Sequence, residues 1–396
     1  MREVFDEIDR WHEHGDALAI ARVVRTEGSA PRAPGAAMVV NADGRVAGSV
    51  SGGCVEGAVV TEALQVLEDG APRLVRFGYS DEVGFSVGLT CGGIIDIFVA
   101  RGPLAQHSEL EAAVAAGEPV AVATVVAVSD GEPPAPGAFT YRPDGELAPA
   151  GGATLGATLL LHEDGRYSGS LGNDGLDRVV RRDAAGALAA GRSALRHYGP
   201  AGEARSEEIA VFIEAFAPPP KMVIFGAVDF TAALVRVAKI LGYRVTVCDA
   251  RAPFATAERF PEADEIVVDW PNRYLERAGG ELTARDAVCV LTHDAKFDIP
   301  AITGALATGA GYLGAMGSRR THEDRRRRLL EEGVAESDLE RVMAPIGLDI
   351  GAATPEETAV AICAEIIAQR NRRDAAPLRD SGRPIHADPD LVEVTP

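Results

Sequence analysis

Residues 43–56 read Asp43-Gly44-Arg45-Val46-Ala47-Gly48-Ser49-Val50-Ser51-Gly52-Gly53-Cys54-Val55-Glu56, and residues 164–177 read Asp164-Gly165-Arg166-Tyr167-Ser168-Gly169-Ser170-Leu171-Gly172-Asn173-Asp174-Gly175-Leu176-Asp177. At an offset of 121 residues (164 − 43) the two stretches pair Gly44 with Gly165, Arg45 with Arg166, Gly48 with Gly169 and Ser49 with Ser170. Upstream, Pro34-Gly35 pairs with Pro136-Gly137 at an offset of 102, so the second copy carries an insertion within Thr140–Thr158. The scaffold repeats and the thiol does not: Cys54 faces Gly175. Gly88-Leu89-Thr90-Cys91-Gly92-Gly93 in copy one also lacks a counterpart. Thiols on Gly-rich loops of one copy only point to chemistry rather than architecture.

Around these stretches the first copy reads as helix (2–14), strand (17–26), Pro/Gly loop, strands (37–41 and 45–50), helix (55–67) and strands (74–77 and 94–100). Asp-Gly pairs mark the turns and β-branched runs the strands. The second copy follows the same order, with strands at 120–128, 156–162, 166–171 and 209–216 and a helix at 175–190. The expected division is copy one over 1–110, a degenerate copy two over 111–217, a third domain over 218–371, and a disordered tail over 372–396. The two copies are expected to pack as a pseudo-twofold pair.

Pro218-Pro219-Pro220 is a stiff hinge. After it, Lys221-Met222-Val223-Ile224-Phe225-Gly226 is an apolar strand entering a tight turn, followed by a helix (231–241) and a strand ending at Asp249. Asp249 lies 23 residues after Gly226, which suits a Rossmann unit. Further strands at 265–268 and 287–292, with a helix after Pro300, continue the alternation and imply a doubly wound parallel sheet. The fold class expected is thus α/β, with a duplicated mixed α/β region followed by a Rossmann-like domain.

The formal net charge of −20 argues against nucleic-acid binding over a broad surface. No apolar run is long enough to span a bilayer, and the acidic, amphipathic start is unlike a signal peptide, so a cytoplasmic protein is expected. Five cysteines without a Cys-x-x-Cys argue against a disulfide framework or a zinc knuckle. Cys248, Cys289 and Cys363 sit in apolar runs and read as small core residues.

Ser51-Gly52-Gly53-Cys54-Val55-Glu56 can form a nest of backbone N–H groups that binds an anion, with Cys54 opening a helix that favours the thiolate. The other reading of Cys54 is a small residue filling a tight turn. Cys91 and Gly92 lie on a second such loop, and the spacing permits two thiolates converging on a metal. Arg32, in a rigid Pro-rich loop, suits a phosphate or oxoanion, or is a solvated loop arginine. In the third domain, Gly226-Ala227-Val228-Asp229 keeps one glycine of the dinucleotide fingerprint. Gly317-Ser318-Arg319-Arg320-Thr321 opens a helix suited to phosphate. The arginines at 325–328 read as a solvated helix face. His293 and Lys296 stand at a strand end, where open α/β sheets place ligands, and suit binding, acid/base work or capping.

Together these motifs resemble the xanthine dehydrogenase accessory (XdhC/CoxI) family. The matching stretches are Gly28-Ser29-x-Pro31-Arg32-x-x-Gly35, Gly48–Glu56, Gly88–Gly93, Leu291-Thr292-His293-Asp294-x-Lys296-Phe297-Asp298, Gly314–Arg320 and Ala344–Gly351. The resemblance implies a chaperone for molybdenum cofactor of the molybdopterin type, rather than the dehydrogenase itself. Such a protein supports sulfuration of the cofactor by a cysteine desulfurase and delivers it to the large subunit of a molybdenum hydroxylase. It implies Cys54 and Cys91 as contacts to molybdenum or sulfur, and Arg32 with the Gly52-Gly53 nest as contacts to the cofactor's phosphate. A homodimer is expected on general grounds. The sequence departs from the family pattern at Val228-Asp229, where Gly-His is usual, and at Met343, where His is common. The competing readings are an NAD(P)-dependent oxidoreductase using the nucleotide fold and Asp249, and a thiol enzyme with Cys54 as nucleophile.

Overall fold

The computed structural model describes residues 1–28, 30–78, 93–129, 152–204 and 206–380. The chain forms two compact units, the first Met1–Pro218 and the second starting at Pro219. In the first unit, helix α1 (Phe5–Glu13) precedes β1 (Leu18–Glu27), β2 (Ala37–Asn41), β3 (Val46–Gly48), α2 (Glu56–Asp69), β4 (Arg73–Phe77) and β5 (Ile94–Gly102). The series then recurs as α3 (His107–Ala115), β6 (Val120–Val128), β7 (Thr158–His162), β8 (Tyr167–Gly169), α4 (Asp174–Ala190), β9 (Ala194–Tyr198) and β10 (Ile209–Phe216). The two antiparallel sheets have the orders β3-β2-β1-β5-β4 and β8-β7-β6-β10-β9, the same order twice. Helix α2 packs through Val59, Ala63 and Val66 on the first sheet; α4 packs through Val180, Ala184 and Leu188 on the second.

Two of these elements are absent from the sequence reading. Strand β9, Ala194-Leu195-Arg196-His197-Tyr198, is half polar and acquires strand character from its ladder with β10. Helix α3 runs across residue 110, where the sequence reading ends its first copy. It opens the second half as α1 opens the first.

The apolar cluster between the sheets holds Val24 with Val126, Phe98 with Phe212, and Leu74 with Leu195. Val126 lies 102 residues after Val24, and Leu195 lies 121 after Leu74. Val24 and Val126 sit at register shifts of the β1–β5 and β6–β10 ladders. A bulge re-aims the extra residue, and here both bulged valines enter the same core. Arg22 is also buried there, donating to Thr124 Oγ1 at 3.1 Å and facing Glu214 at 3.6 Å.

The second unit runs β11 (Lys221–Phe225), α5 (Asp229–Ile240), β12 (Arg244–Cys248), β13 (Glu265–Val267), α6 (Pro271–Ala278), β14 (Ala287–Val290) and α7 (Ala295–Leu306). It continues with β15 (Tyr312–Ala315), α8 (Arg319–Glu331), α9 (Glu336–Leu339), β16 (Val342–Met343) and α10 (Pro355–Arg370). The strands pair in parallel in the order β13-β12-β11-β14-β15-β16. That is the doubly wound order, with its reversal between β11 and β14. Met222 and Ile224 face one core cluster while Val223 and Phe225 face the other, which is why the strand is apolar throughout. Helix α7 starts before Pro300, not after it: Asp294 caps it by accepting from the Lys296 N–H at 3.1 Å, and Pro300 lies inside the helix, where its ring removes the N–H that would reach the Lys296 carbonyl. Residues 371–380 follow α10 with a 3-10 turn at Leu378–Asp380, and the rest of the expected disordered tail, 381–396, lies outside the described residues.

Candidate functional site

The loop between β3 and α2 is built around one carboxylate. Glu56 Oε1 accepts from the N–H groups of Ser51 (2.9 Å) and Val50 (3.2 Å) and from the Ser49 hydroxyl (2.7 Å). Its Oε2 accepts from the N–H of Gly53 (2.9 Å) and of Val55 (3.2 Å), and from the Ser51 hydroxyl. The anion nest is therefore real, but its anion belongs to the chain. Glu56, Ser51 and Gly53 are committed to this internal brace, and the Gly52 N–H goes to Ser49 Oγ. The reading of this nest as a cradle for a ligand's phosphate is corrected accordingly. Burial opposes the charge on Glu56, but hydrogen bonds from Ser51, Ser49 and the backbone outweigh it and hold the carboxyl at about 2. The loop between β8 and α4 has a similar brace with a shorter acid, Asp177 accepting from the Leu171 N–H at 2.8 Å.

With its backbone fixed in this way, Cys54 is half-buried against Val55 and its neighbours. Its N–H donates to Ser51 Oγ at 3.0 Å. The helix begins at Glu56, so Cys54 precedes the first turn rather than opening it. At Gly175, 121 residues further on, a side chain would press on the Ala201 carbonyl, 2.7 Å from the place of a Cβ. Cys91 and Gly92 lie outside the described residues. Arg32 is paired with Glu3, which also accepts from the Ala37 N–H at 3.1 Å. This half-exposed pair borders a shallow groove with Arg2, Pro31 and Pro34.

In the second unit the loops after adjacent strands share the C-terminal edge of the sheet. Gly226 follows β11 with φ 114°, and a side chain there would meet Thr292 Cγ2 at 2.8 Å. The glycine thus serves close packing against the loop after β14. Asp249, after β12, accepts from the Ala227 N–H (2.8 Å), from the Arg251 N–H and Nε (both 2.9 Å) and from Arg251 Nη2 (2.7 Å). Burial works against its ionisation, and the Arg251 and backbone hydrogen bonds prevail, so its carboxyl lies below the usual range. The acid that would take a ribose is already engaged. Val228 stands where a glycine admits the pyrophosphate, and exposed Asp229 adds negative charge at the start of α5. These residues do not fit a nicotinamide dinucleotide in the usual pose.

His293 is exposed beyond β14. Lys296 pairs with Asp294 at 3.1 Å and lies 4.9 Å from the Phe297 ring centre. Ser318 caps α8 by accepting from the Thr321 N–H at 3.1 Å. Arg319 and Arg320 are exposed and make no ion pair among the described residues. Arg325 is not on a solvated face: it is 5 % exposed, 2.6 Å from Asp298 Oδ2, and donates to the Met316 carbonyl at 2.8 Å. Thr292 donates to the other oxygen of Asp298, so this pair ties the loops after β14 and β15 together. Its signal in the sequence was only Asp298 within a motif, since Arg325 sits in a basic run whose other members are exposed. Cys248, Cys289 and Cys363 are buried. Burial pushes the Cys248 and Cys363 thiols up to about 12 and raises Cys289 well above its usual value. No helix among the described residues is long and apolar enough to cross a membrane.

Comparison with known proteins gives one family for both units. The model of the XdhC Rossmann domain matches residues 222–366, and that of the XdhC and CoxI family matches residues 11–78 and 150–199. The chain is 26% identical over 370 residues to a probable xanthine dehydrogenase subunit of Bacillus subtilis, covering 92% of this chain and 97% of that one. It is 24% identical over 356 residues to the molybdenum cofactor insertion chaperone PaoD of Escherichia coli, covering 90% of this chain and 84% of PaoD. The crystal structure of a xanthine dehydrogenase from Bacillus halodurans shares the fold, with a TM-score of 0.63 at 24% identity over 94% of this chain and 98% of that one. The matched family regions lie on both sides of Pro218 and take in the Cys54 loop and the sheet edge, and the chain belongs to the XdhC and CoxI family.

Proposed function

We propose that this chain is a molybdenum cofactor chaperone that holds the molybdopterin-type cofactor and passes it to a molybdenum hydroxylase. Family membership and the likeness to PaoD support the maturation role. The observation that carries the site is the contrast between the two braces: Glu56 and Asp177 fix equivalent loops, and only the first presents a thiol. Cys54, joined by Cys91, would contact molybdenum or the sulfur delivered by a cysteine desulfurase, since a thiolate is both a soft ligand and the nucleophile that persulfide transfer needs. Arg32 would exchange Glu3 for the cofactor's phosphate; an exposed ion pair of this kind is worth at most about 1 kcal/mol. In the second unit, His293, Lys296, Ser318 and Arg319 offer an edge for a phosphate-bearing ligand outside the dinucleotide pose, beside Gly226 and Asp249. The two sheets of the first unit are read as products of a duplication whose second copy lost the chemistry. The chain acts as a maturation factor, in the cytoplasm and as a homodimer.

The test is metal and pterin content after co-expression with cofactor biosynthesis and anaerobic purification. Near-stoichiometric molybdenum and pterin, lost in Cys54→Ala or Cys91→Ala, is the expected result. Cofactor-free wild-type protein, or variants that keep full loading, would sink the proposal.

A further inference from the structure

In the second unit, the loops that enter β12, β14 and β15 meet the end of α10 at the N-terminal edge of the parallel sheet. This is the edge opposite the one that carries His293 and Ser318. The segments surround a cavity of about 50 Å3 lined by Tyr243, Arg285, Asp286, Tyr312, Gln369 and Arg370. We propose that this cavity binds a free tetrahedral oxyanion of phosphate size.

The walls are fixed by the backbone. The N–H groups of Gly311 and Tyr312 donate to the Asp286 carbonyl at 3.0 and 3.3 Å. A Cβ on Gly311 would lie 2.0 Å from the Ala284 carbonyl oxygen, so only glycine lets the two loops approach this closely. The space left is larger than one water needs and far below the roughly 300 Å3 or more of a site for an organic ligand.

The groups on the walls favour an anion. Tyr243 is 3 % exposed, and its hydroxyl has no hydrogen-bond partner among the described residues. The Tyr312 hydroxyl, by contrast, is spent on Glu365. A buried hydroxyl without a partner costs free energy, so the one on this wall calls for an acceptor in the cavity. Arg370 lies in electrostatic range of that hydroxyl, and Arg285 in range of both. The Arg370 side chain makes no ion pair among the described residues. Burial holds the Arg285 guanidinium below its usual value; Asp286 raises it and Arg370 lowers it, so a bound anion relieves both the burial and the like charge.

Asp286 is the one acid on the wall, and the chain has already used it. Its Oδ1 accepts from the Lys221 N–H at 2.6 Å, and its Oδ2 from the Thr283 N–H at 2.6 Å and the Thr283 hydroxyl at 2.9 Å. Two guanidinium groups and one hydroxyl donor then remain for a ligand, a set that matches a phosphate's several acceptor oxygens. This site is independent of the cofactor proposal and stands or falls separately.

The probe is inorganic phosphate, titrated into the full chain at constant ionic strength and followed by phosphorus NMR line width. Wild-type protein is expected to bind with a dissociation constant of roughly 1 mM or below. Arg370→Gln weakens binding at least about tenfold and Tyr243→Phe roughly fivefold. Both keep the phosphate-free unfolding midpoint within a few degrees, since neither removes a side-chain hydrogen bond or ion pair within the described residues. Arg319→Gln, at the opposite edge, binds as wild type. No binding at roughly 10 mM phosphate, or wild-type affinity in both cavity variants, overturns the site. A loss confined to Arg319→Gln overturns it too, and assigns the phosphate to the other edge.

Discussion

Glu56 holds four backbone N–H groups and two hydroxyls, so its replacement tests the loop directly. Glu56→Gln keeps the shape and loses the charge; we expect a loss of about 1–2 kcal/mol at pH 7, discounted for partial exposure, read from urea midpoints. The folded carboxyl is depressed to about 2 from an ordinary 4.5. Its contribution is thus complete above about pH 4.5 and fades as the pH falls toward 2, so wild type and variant converge in acid. A variant equally destabilised at both ends of that window would contradict the brace. The buried Asp298–Arg325 pair gives a second test at this scale. Asp298→Asn leaves Arg325 without its counter-charge and should cost about 3 kcal/mol, whereas Asp298→Leu combined with Arg325→Met should recover much of that loss in thermal unfolding. The sequence alone placed Arg325 among solvated arginines, because nothing in an Arg-Arg-Arg-Arg run says which member turns inward. Its position three residues past His322 on α8, under Gly317, decides it.

At the scale of elements, Gly48 and Gly169 end equivalent strands with φ 79° and 81°. A Cβ on Gly48 would collide with the Ala37 carbonyl and Val4, and one on Gly169 with the Thr158 carbonyl and Gln106. Gly48→Ala and Gly169→Ala should each cost roughly 2 kcal/mol or more, against about 1 kcal/mol for Gly44→Ala, which has the same sign of φ and open space. Chemical denaturation of the three variants checks the ordering. Strands Ala37–Asn41, Val120–Val128 and Ile209–Phe216 have the bounds that their β-branched runs announce. Strand β9 and helix α3 were not legible, because Arg196 and His197 break the apolar pattern of the one and the other sends only His107, Leu110 and Ala113 inward. Both exist because partners already in place complete them.

At the scale of the whole molecule, each unit has its own cores: Phe98, Phe212 and their neighbours in the first, and the two faces of the parallel sheet in the second. A fragment of residues 1–218 and another of 219–380 should each fold alone and unfold cooperatively, as circular dichroism of the separate fragments would show. A fragment that stays unfolded by itself would mean that its core needs the other unit. The sequence by itself determined the parallel α/β unit, because continuous apolar strands alternating with helices can bury both faces in few other ways. It also sets Cys54 opposite Gly175 in the repeated stretch. Which polar groups remain available to a ligand was decided only by the tertiary structure. Glu56, Asp249 and Arg325 carry the chemistry of binding residues, yet each is already matched by a partner inside the fold, and a hydrogen bond made within the chain is invisible until the chain is folded.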